Sequence, residues 1–150
     1  MSRRFDPRVC HFLLRVRRSP IHRFGVFAKQ AIPARQKVIE YTGVRITRRE
    51  ALERQKRSWK AGKPKPVYFF RVSRYWDIDA SEGGSGAELI NHSCDPNLRA
   101  RRIRGHIFFF SRRNIRAGQE LTLDYRFPAN TQKIPCRCGA PKCRGVINRR

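Results

Sequence analysis

The sequence is poor in acidic residues. It has 11 Asp and Glu against 35 Lys and Arg, which gives its 150 residues a formal net charge of +24 at pH 7. This imbalance excludes an acidic surface and predicts attraction to polyanions. The basic residues are spread as pairs along the chain, so we expect a folded domain with a basic surface and not a basic tail. Two interpretations stay open, a solvated basic face and a surface for nonspecific contact with nucleic acid.

Long apolar runs are also missing. The longest are far too short to span a bilayer, and the N-terminus lacks the apolar segment and cleavage site of a signal peptide. We therefore expect no membrane contact and a cytoplasmic bacterial or other intracellular location, with nucleoid or chromatin association as one option. Disulfides are uncommon in such compartments. The five cysteines of the chain need another explanation.

Short β-like segments make up most of the chain. Hydrophobic residues are 39% of the sequence, which is enough for one folded domain. We predict a fold that is mainly β with short helices. The predicted strands are 8–17, 24–27, 37–41, 67–72, 76–78, 105–111 and 120–127, and the glycine-rich segment 81–86 is predicted to be a loop.

One helix start has a recognisable signal. Thr47 and Glu50 fit a capping box, in which each side chain satisfies a backbone N–H of the other residue. We expect a modest helix after Thr47 that fades at 59–62, because the prolines within 63–66 block its continuation.

Three of the cysteines lie close together in a polar tail rich in Pro and Gly. A disulfide between Cys136 and Cys138 would be strained, and burial as ordinary core residues, the alternative, suits this polar segment poorly. A structural zinc ion takes four ligands, so Cys136, Cys138 and Cys143 need a fourth from the body of the chain. Cys10 lies in the apolar segment CHFLL, where a buried thiol is expected. Cys94, in the polar loop NHSCDPN, is the natural fourth ligand.

The same loop begins a resemblance to a known family. NHSCDPN at 91–97, followed by ELTLDY at 120–125, resembles the signature pair of SET-domain protein lysine methyltransferases, and the CxCxxxxC tail resembles their post-SET zinc segment. A lone NHSC would be a weak signal, whereas several motifs in the family's order make a specific one. Three further segments resemble the family's cofactor loop, its YxG turn and the strand ahead of NHSC: 19–28, 41–43 and 76–80.

The resemblance implies a SET domain over 9–127 and a post-SET zinc segment over 132–148. The implied fold is a set of small curled sheets with a C-terminal pseudoknot, a rare exception to the rule against threaded chains, and a zinc-bound tail. The implied cofactors are S-adenosylmethionine and Zn²⁺.

The resemblance also implies roles for particular residues. Tyr125 would be the catalytic tyrosine and lie beside the cofactor, and Tyr41 would help to shape the methyl-transfer pore. The lysine channel would be lined by Tyr41, Tyr68 and Leu123. The cofactor would be bound by Arg23, Phe24, Gly25, Val26, Asn91 and His92. Without the flanking motif, Tyr125 would read as an ordinary core tyrosine and His92 as a structural histidine.

Two positions depart from the family pattern. Arg23 stands where the cofactor loop usually has a Gly, which lets the backbone approach the ligand closely. Its guanidinium either reaches the cofactor carboxylate or weakens cofactor binding. The Arg that usually precedes NHSC is absent, and Glu88 lies near that place.

The function implied is transfer of a methyl group from S-adenosylmethionine to a lysine of a protein substrate, with a histone or nucleoid-type protein as one candidate. In this family a Tyr two residues before the catalytic Tyr limits methylation and a Phe permits more. Leu123 occupies that position, so we predict di- or trimethylation, unless Leu123 only packs in the core. The alternative function is a catalytically weak SET scaffold with zinc that acts as a basic nucleic-acid-binding module.

Overall fold

Short strands dominate the fold. The computed structural model describes residues 5–60 and 68–150. Within them, the elements are β1 (Leu14–Arg18), β2 (Phe24–Ala28), β3 (Lys37–Tyr41), β4 (Val44–Thr47), α1 (Arg48–Lys60), β5 (Phe69–Arg71), β6 (Trp76–Asp79), a 3-10 turn (Ala87–Leu89), β7 (Asn91–His92), β8 (Leu98–Ile103), β9 (His106–Ser111) and β10 (Thr122–Leu123). This is the mainly β architecture with little helix that the sequence predicts.

The described strands form four small sheets. β1 and β2 make an antiparallel pair, β9 lies between β3 and β8, and β6 lies between β4 and β5. The fourth sheet is a short parallel pair, β7 with β10. That pair joins the segment after the 3-10 turn to a segment about thirty residues further on, and it positions the site described below. The pseudoknot stays a prediction.

The core lies between these sheets, and β9 shows how the sequence builds it. Ile107, Phe109 and Ser111 are buried, while the alternate residues are less so, as expected for a strand with one covered face. Cys10 is buried in the same core, 6% exposed, and forms an isolated bridge with Ile39. Its place in the core agrees with its apolar sequence context.

One of the two hydrogen bonds of the predicted capping box is present at the start of helix α1. The backbone N–H of Glu50 donates to Thr47 Oγ1 at 3.1 Å, whereas the Glu50 carboxylate accepts from Arg54. Arg54 also donates to the buried Asp79 at 2.6 Å, which ties α1 to β6. The proline segment 63–66 and the start of the predicted strand 67–72 lie outside the described residues.

Two strand predictions need correction, and some strands were missed. Residues 8–13 do not form a strand, because the N–H groups of Val9 and Cys10 turn back to Asp6 O at 3.0 and 2.9 Å; the strand begins at Leu14. The predicted strand 120–127 is reduced to β10, and Arg126 has a φ of 53° that extended backbone does not allow. Strands β4, β7 and β8 were not predicted.

None of the described helices is long and apolar enough to cross a bilayer.

Candidate active site and metal cluster

A cavity of about 540 Å³ lies where β3, β7 and β10 converge with the entry to β2. Aromatic side chains form much of its wall. The predicted site residues that line it are Arg23, Phe24, Tyr41, Tyr68, Asn91, Leu123 and Tyr125. Gly25, Val26 and His92, which were also predicted to contact the cofactor, do not line it.

The parallel pair of β7 and β10 brings the two sequence motifs together. Asn91 pairs with Thr122 and His92 with Leu123, and the N–H of Ser93 donates to Leu123 O at 3.0 Å. Because the two strands are parallel, the segments that follow them leave the sheet in the same direction. The residues after β10 therefore pass beside the NHSC loop. Two motifs that are distant in sequence thus share one wall of the cavity.

Tyr125 is held at three points on this wall. Its hydroxyl donates to Ile90 O at 2.7 Å, and its backbone N–H donates to His92 Nδ1 at 3.1 Å. Its ring stands edge-on to the His92 ring with centroids 5.3 Å apart. Burial raises the pKa of Tyr125 well above its usual value, with smaller contributions from Tyr68 and Glu120. At neutral pH its hydroxyl therefore stays protonated and can donate a hydrogen bond.

Tyr41 forms another part of the cavity wall. Its hydroxyl donates to Tyr68 O at 2.6 Å. Its ring packs against Phe70 and Phe109, with centroids 5.1 and 5.9 Å away. Burial, and then the charge of Glu88, raise the pKa of Tyr41. The cavity thus has two neutral tyrosine hydroxyls, each already bonded to a backbone carbonyl.

Asn91 connects β7 to the loop ahead of β2. Its side-chain amide is 3.0 Å from Phe24 O, 3.2 Å from His22 O and 2.9 Å from Glu120 Oε1. The Ser19 hydroxyl also donates to the Glu120 carboxylate, at 2.8 and 2.9 Å. Sequence reasoning missed Glu120 and Ser19 as site residues, although Glu120 is the first residue of the ELTLDY motif. The carboxylate fixes both the loop and the Asn91 amide.

The contact between Glu120 and Asn91 leaves no room for a side chain at position 25. A Cβ built at Gly25 would lie 2.1 Å from Glu120 Oε1 and 3.1 Å from Asn91 Nδ2, so any side chain there would displace the carboxylate. Gly25 therefore acts by close packing behind the cavity wall.

Arg23 occupies a strained backbone position. Its φ is 41°, in the left-handed region where glycine is favoured. This explains why a Gly suits the position: the requirement is conformational as well as steric. The Arg23 side chain is exposed and lines the cavity, as does Arg18. Two cations therefore lie at the rim next to Phe24.

His92 links Tyr125 to the cysteine cluster. Because its Nδ1 accepts the N–H of Tyr125, the ring is neutral and carries its proton on Nε2, which lies 3.5 Å from Cys94 Sγ. Burial lowers the pKa of His92, and this favours the neutral ring. His92 is 3% exposed. It holds the Tyr125 backbone from behind the cavity.

Four cysteines converge beside His92. The Sγ atoms of Cys94, Cys136, Cys138 and Cys143 all lie within 4.8 Å of one another, and Cys94 Sγ is 3.7 Å from Cys136 Sγ and 3.9 Å from Cys143 Sγ. A tetrahedral zinc site with Zn–S bonds of about 2.3 Å has sulfurs about 3.8 Å apart. The four thiols therefore fit a closed structural zinc site.

Backbone N–H groups stabilise thiolates in this cluster. Cys94 N lies 3.5 Å from Cys138 Sγ, and Arg144 N lies 3.4 Å from Cys94 Sγ. Burial raises the pKa of Cys94 and of Cys136. For Cys138, the N–H groups of Cys94 and Ala140, together with the side chains of Cys136 and Cys143, outweigh burial and lower the pKa to about 6. A deprotonated sulfur is the form that ligates a metal.

Two further residues hold the tail against the body of the chain. Arg144 donates to both Asp124 oxygens, at 2.9 and 3.0 Å, next to Tyr125 in the sequence. Asn148 is fully buried; its amide lies 3.0 Å from Pro128 O, and its Oδ1 accepts from Ile134 N at 3.0 Å. Neither residue carried a sequence signal, since each depends on contacts with distant or irregular backbone.

The family model for the SET domain matches residues 23–126. The chain therefore belongs to the SET-domain family, which confirms the resemblance and the fold class inferred from the motifs.

Among its relatives, histone-lysine N-methyltransferase TRX1 of Oryza sativa subsp. japonica is 44% identical over 135 residues, 87% of this chain and 13% of the relative. The H3 lysine-4 specific histone-lysine N-methyltransferase of Schizosaccharomyces pombe is 44% identical over 87% of this chain and 14% of its own. Histone-lysine N-methyltransferase 2B of Homo sapiens is 42% identical over 89% of this chain and 5% of its own. The chain thus spans a small part of each of these relatives.

Proposed function

We propose that this chain is a protein lysine N-methyltransferase that uses S-adenosylmethionine. The observation that carries the proposal is the pairing of Tyr125, bonded through its hydroxyl to Ile90 O, with the fixed amide of Asn91 in one aromatic cavity. The names of the relatives, all histone-lysine N-methyltransferases, support the reaction class.

S-adenosylmethionine, when bound, supplies a methyl group on a positively charged sulfur. The lysine ammonium would first release a proton to solvent; the neutral amine could then accept this methyl group, and the neutral thioether of the cofactor would leave. Such a displacement depends on alignment and on exclusion of water more than on a strong base. The residues of the cavity are suited to those two tasks.

Tyr125 and Tyr41 orient the amine without acting as bases. Their raised pKa values keep both hydroxyls protonated at neutral pH, and the carbonyl oxygens of Ile90 and Tyr68 fix where these hydroxyls point. A free lysine has a pKa of about 10.4, which an apolar wall lowers by disfavouring the charged form. The aromatic rings also favour a methylated ammonium product.

The cofactor is held by Asn91 and by Arg23 and Phe24, which line the cavity, while Gly25 packs behind them against Glu120. Asn91 is already positioned by Glu120, so its amide is preorganised. The Arg23 guanidinium at the cavity rim provides a partner for the carboxylate of the methionine end. His92 contributes from behind by holding the backbone of Tyr125.

A zinc ion bound by Cys94, Cys136, Cys138 and Cys143 closes the tail against the NHSC loop. Its role is structural: four thiolates leave no open coordination position for substrate. We assign the SET domain to 9–127 and the post-SET zinc segment to 132–148.

The product and the substrate are finer parts of the proposal. Leu123 is 4% exposed and lines the cavity, and it has no hydroxyl to fix a water against the amine, so the end product is di- or trimethyl-lysine. The substrate is an intracellular protein with an accessible lysine, a histone or a nucleoid-type protein.

Methyl transfer and cofactor binding test the proposal together. Calorimetry with S-adenosylmethionine, followed by transfer of a radiolabelled methyl group to histones and to a cell lysate, is expected to give saturable binding and labelled lysine. Binding without any transfer would limit the chain to a catalytically weak scaffold. Absence of both would overturn the proposal in favour of the nucleic-acid-binding alternative.

A further inference from the structure

The outer face of the sheet β3–β9–β8 carries aromatic and basic side chains side by side. In β9 the odd-numbered residues are buried, so His106, Phe108 and Phe110 share the opposite face. Residues paired across an antiparallel ladder lie on the same face. The members that join them on this basic–aromatic face are Arg99, Arg101 and Ile103 of β8 and Lys37 of β3.

The aromatic rings of this face are each matched with a cation. Lys37 Nζ lies 4.8 Å from the centroid of Phe108, and the Arg101 guanidinium lies 5.6 Å from that of Phe110. The His106 ring stacks on Phe108, with centroids 5.9 Å apart and planes inclined by 16°. The acidic group of the face, Glu40, is bonded to His106 at 2.6 Å. The exposed cations therefore give the face a net positive charge.

We propose that the basic–aromatic face binds single-stranded nucleic acid. An apolar protein partner would have to desolvate Lys37, Arg99 and Arg101, which is costly for charged groups. A polyanion neutralises the same cations, and the net charge of +24 draws it to the surface. Half-buried rings between exposed cations are the combination that single strands use, since bases stack on the rings while phosphates meet the cations.

The spacing of the rings favours a single strand over a duplex. Phe108 and Phe110 are two residues apart on one strand, which separates them by about 6.8 Å. Bases in a duplex follow one another at about 3.4 Å and shield their faces from side chains. Only bases that have left the stack can each meet one of these rings.

The basic–aromatic face is separate from the cavity. Phe109, which lies between the two rings in the sequence, points inward and lines the cavity. A strand on the outer face therefore leaves the cavity accessible, and the proposal does not depend on the proposed methyl transfer.

Fluorescence anisotropy with a labelled oligothymidylate of about 15 nucleotides, comparable to single-fold site sizes, tests the proposal on the intact chain. The double variant Phe108→Leu, Phe110→Leu keeps apolar bodies but removes both rings, and we expect its affinity to fall tenfold or more. The variant Phe108→Tyr, Phe110→Tyr keeps the rings and is expected to bind like the wild type. Thermal unfolding of both variants checks that the fold is retained.

Charge is tested by a matched pair of variants. Arg101→Ala is expected to weaken binding several-fold and to reduce the slope of log affinity against log salt by about one. Arg49→Ala, at an exposed position of α1 outside the face, is expected to weaken it less. Equal weakening by the two, unchanged binding by the Leu double variant, tighter binding of a duplex of the same length, or equal competition by polyglutamate would each overturn the proposal.

Discussion

The side-chain amide of Asn91 donates a hydrogen bond of 2.9 Å to the carboxylate of Glu120. That carboxylate also accepts from the Ser19 hydroxyl, at the start of the segment that leads into β2. One acidic group therefore fastens the loop before β2 to the strand pair β7–β10. The amide that we propose for cofactor binding is held in place before any ligand arrives.

This relationship predicts the effect of Asn91→Ala. Hydrogen bonds to charged groups contribute about 1.5–3 kcal/mol, so the Kd for S-adenosylmethionine should rise about tenfold or more in calorimetry. Glu120→Gln keeps the shape but removes the charge that fixes the amide, and it should give a smaller rise. Asn114→Ala, which removes an exposed contact to Ala34 N, serves as the control. An unchanged Kd in Asn91→Ala would show that the cofactor site is misplaced.

Replacing Arg23 should change the stability of the fold and the affinity for the cofactor in different directions. A left-handed backbone destabilises the folded state by about 1–2 kcal/mol at a residue other than Gly, and Arg23→Gly removes this strain. The greater entropy of Gly in the unfolded chain offsets about 0.5–1 kcal/mol of that gain. Arg23→Gly should therefore unfold at the same or a higher denaturant midpoint, while the Kd for S-adenosylmethionine rises because a cation has left the cavity rim.

The control for Arg23 is Arg35→Gly. Arg35 has a φ of 64° and does not line the cavity, so its replacement should affect stability alone. Tighter cofactor binding in Arg23→Gly would mean that the guanidinium hinders the ligand, and the role proposed for it would be wrong.

The sequence predicted the strands that have a clear pattern. β9 alternates buried and outward residues, and β2 and β3 are short apolar runs between turn signals, so all three were found. β8 was missed because four of its six residues are Arg or Ala in the run LRARRI, and its outward side chains give no apolar stripe. The end of β10 was misplaced because the turn at Arg126 has no Gly or Asn to mark it.

Only those site residues that lie within the sequence motifs could be predicted. Tyr125, Asn91 and the four cysteines lie in short segments that resemble a family, and the structure brings them together. Glu120, Arg144 and Asn148 act through backbone or side chains far away in sequence. A pattern of residue types cannot show such contacts, since Glu, Arg and Asn on a solvated surface would give the same sequence pattern.

Zinc removal should affect the tail and leave the core folded. Cys94→Ser and Cys143→Ser should each lose most of the bound zinc in elemental analysis, whereas Cys10→Ser, which changes a core thiol outside the cluster, should keep it. After chelation, hydrogen exchange should rise over 132–148, while β9 amides stay protected because the core does not depend on the metal. Full zinc occupancy in both cluster variants would exclude this ligand set.

Leu123 is expected to set the number of methyl groups. A tyrosine at this position would place a hydroxyl in the pore and crowd a partly methylated amine, so Leu123→Tyr should shift the product from di- or trimethyl-lysine towards monomethyl-lysine. Leu121→Met, a change of similar volume at a buried position that does not line the cavity, is the matched control. Mass spectrometry after long incubation that found only monomethyl-lysine from both wild type and Leu123→Tyr would rule out this role.

The most direct test of methyl transfer at this cavity is the single-turnover rate of Tyr125→Phe with zinc-loaded protein, radiolabelled S-adenosylmethionine and histones. The change removes one hydroxyl and its hydrogen bond to Ile90 O, so the thermal unfolding midpoint should fall by only a few degrees. The rate should fall about 100-fold or more, the scale for losing an oriented polar group at a reacting centre. Tyr75→Phe, at a residue 62% exposed, should leave it unchanged.

The pH dependence of the same rate completes this measurement. Because Tyr125 stays protonated, the rate should rise with pH as the substrate amine loses its proton, and it should rise in parallel in the wild type and in Tyr125→Phe. A Tyr125→Phe rate equal to that of the wild type at every pH would contradict the assignment of Tyr125, and with it the account of this cavity as the methyl-transfer site.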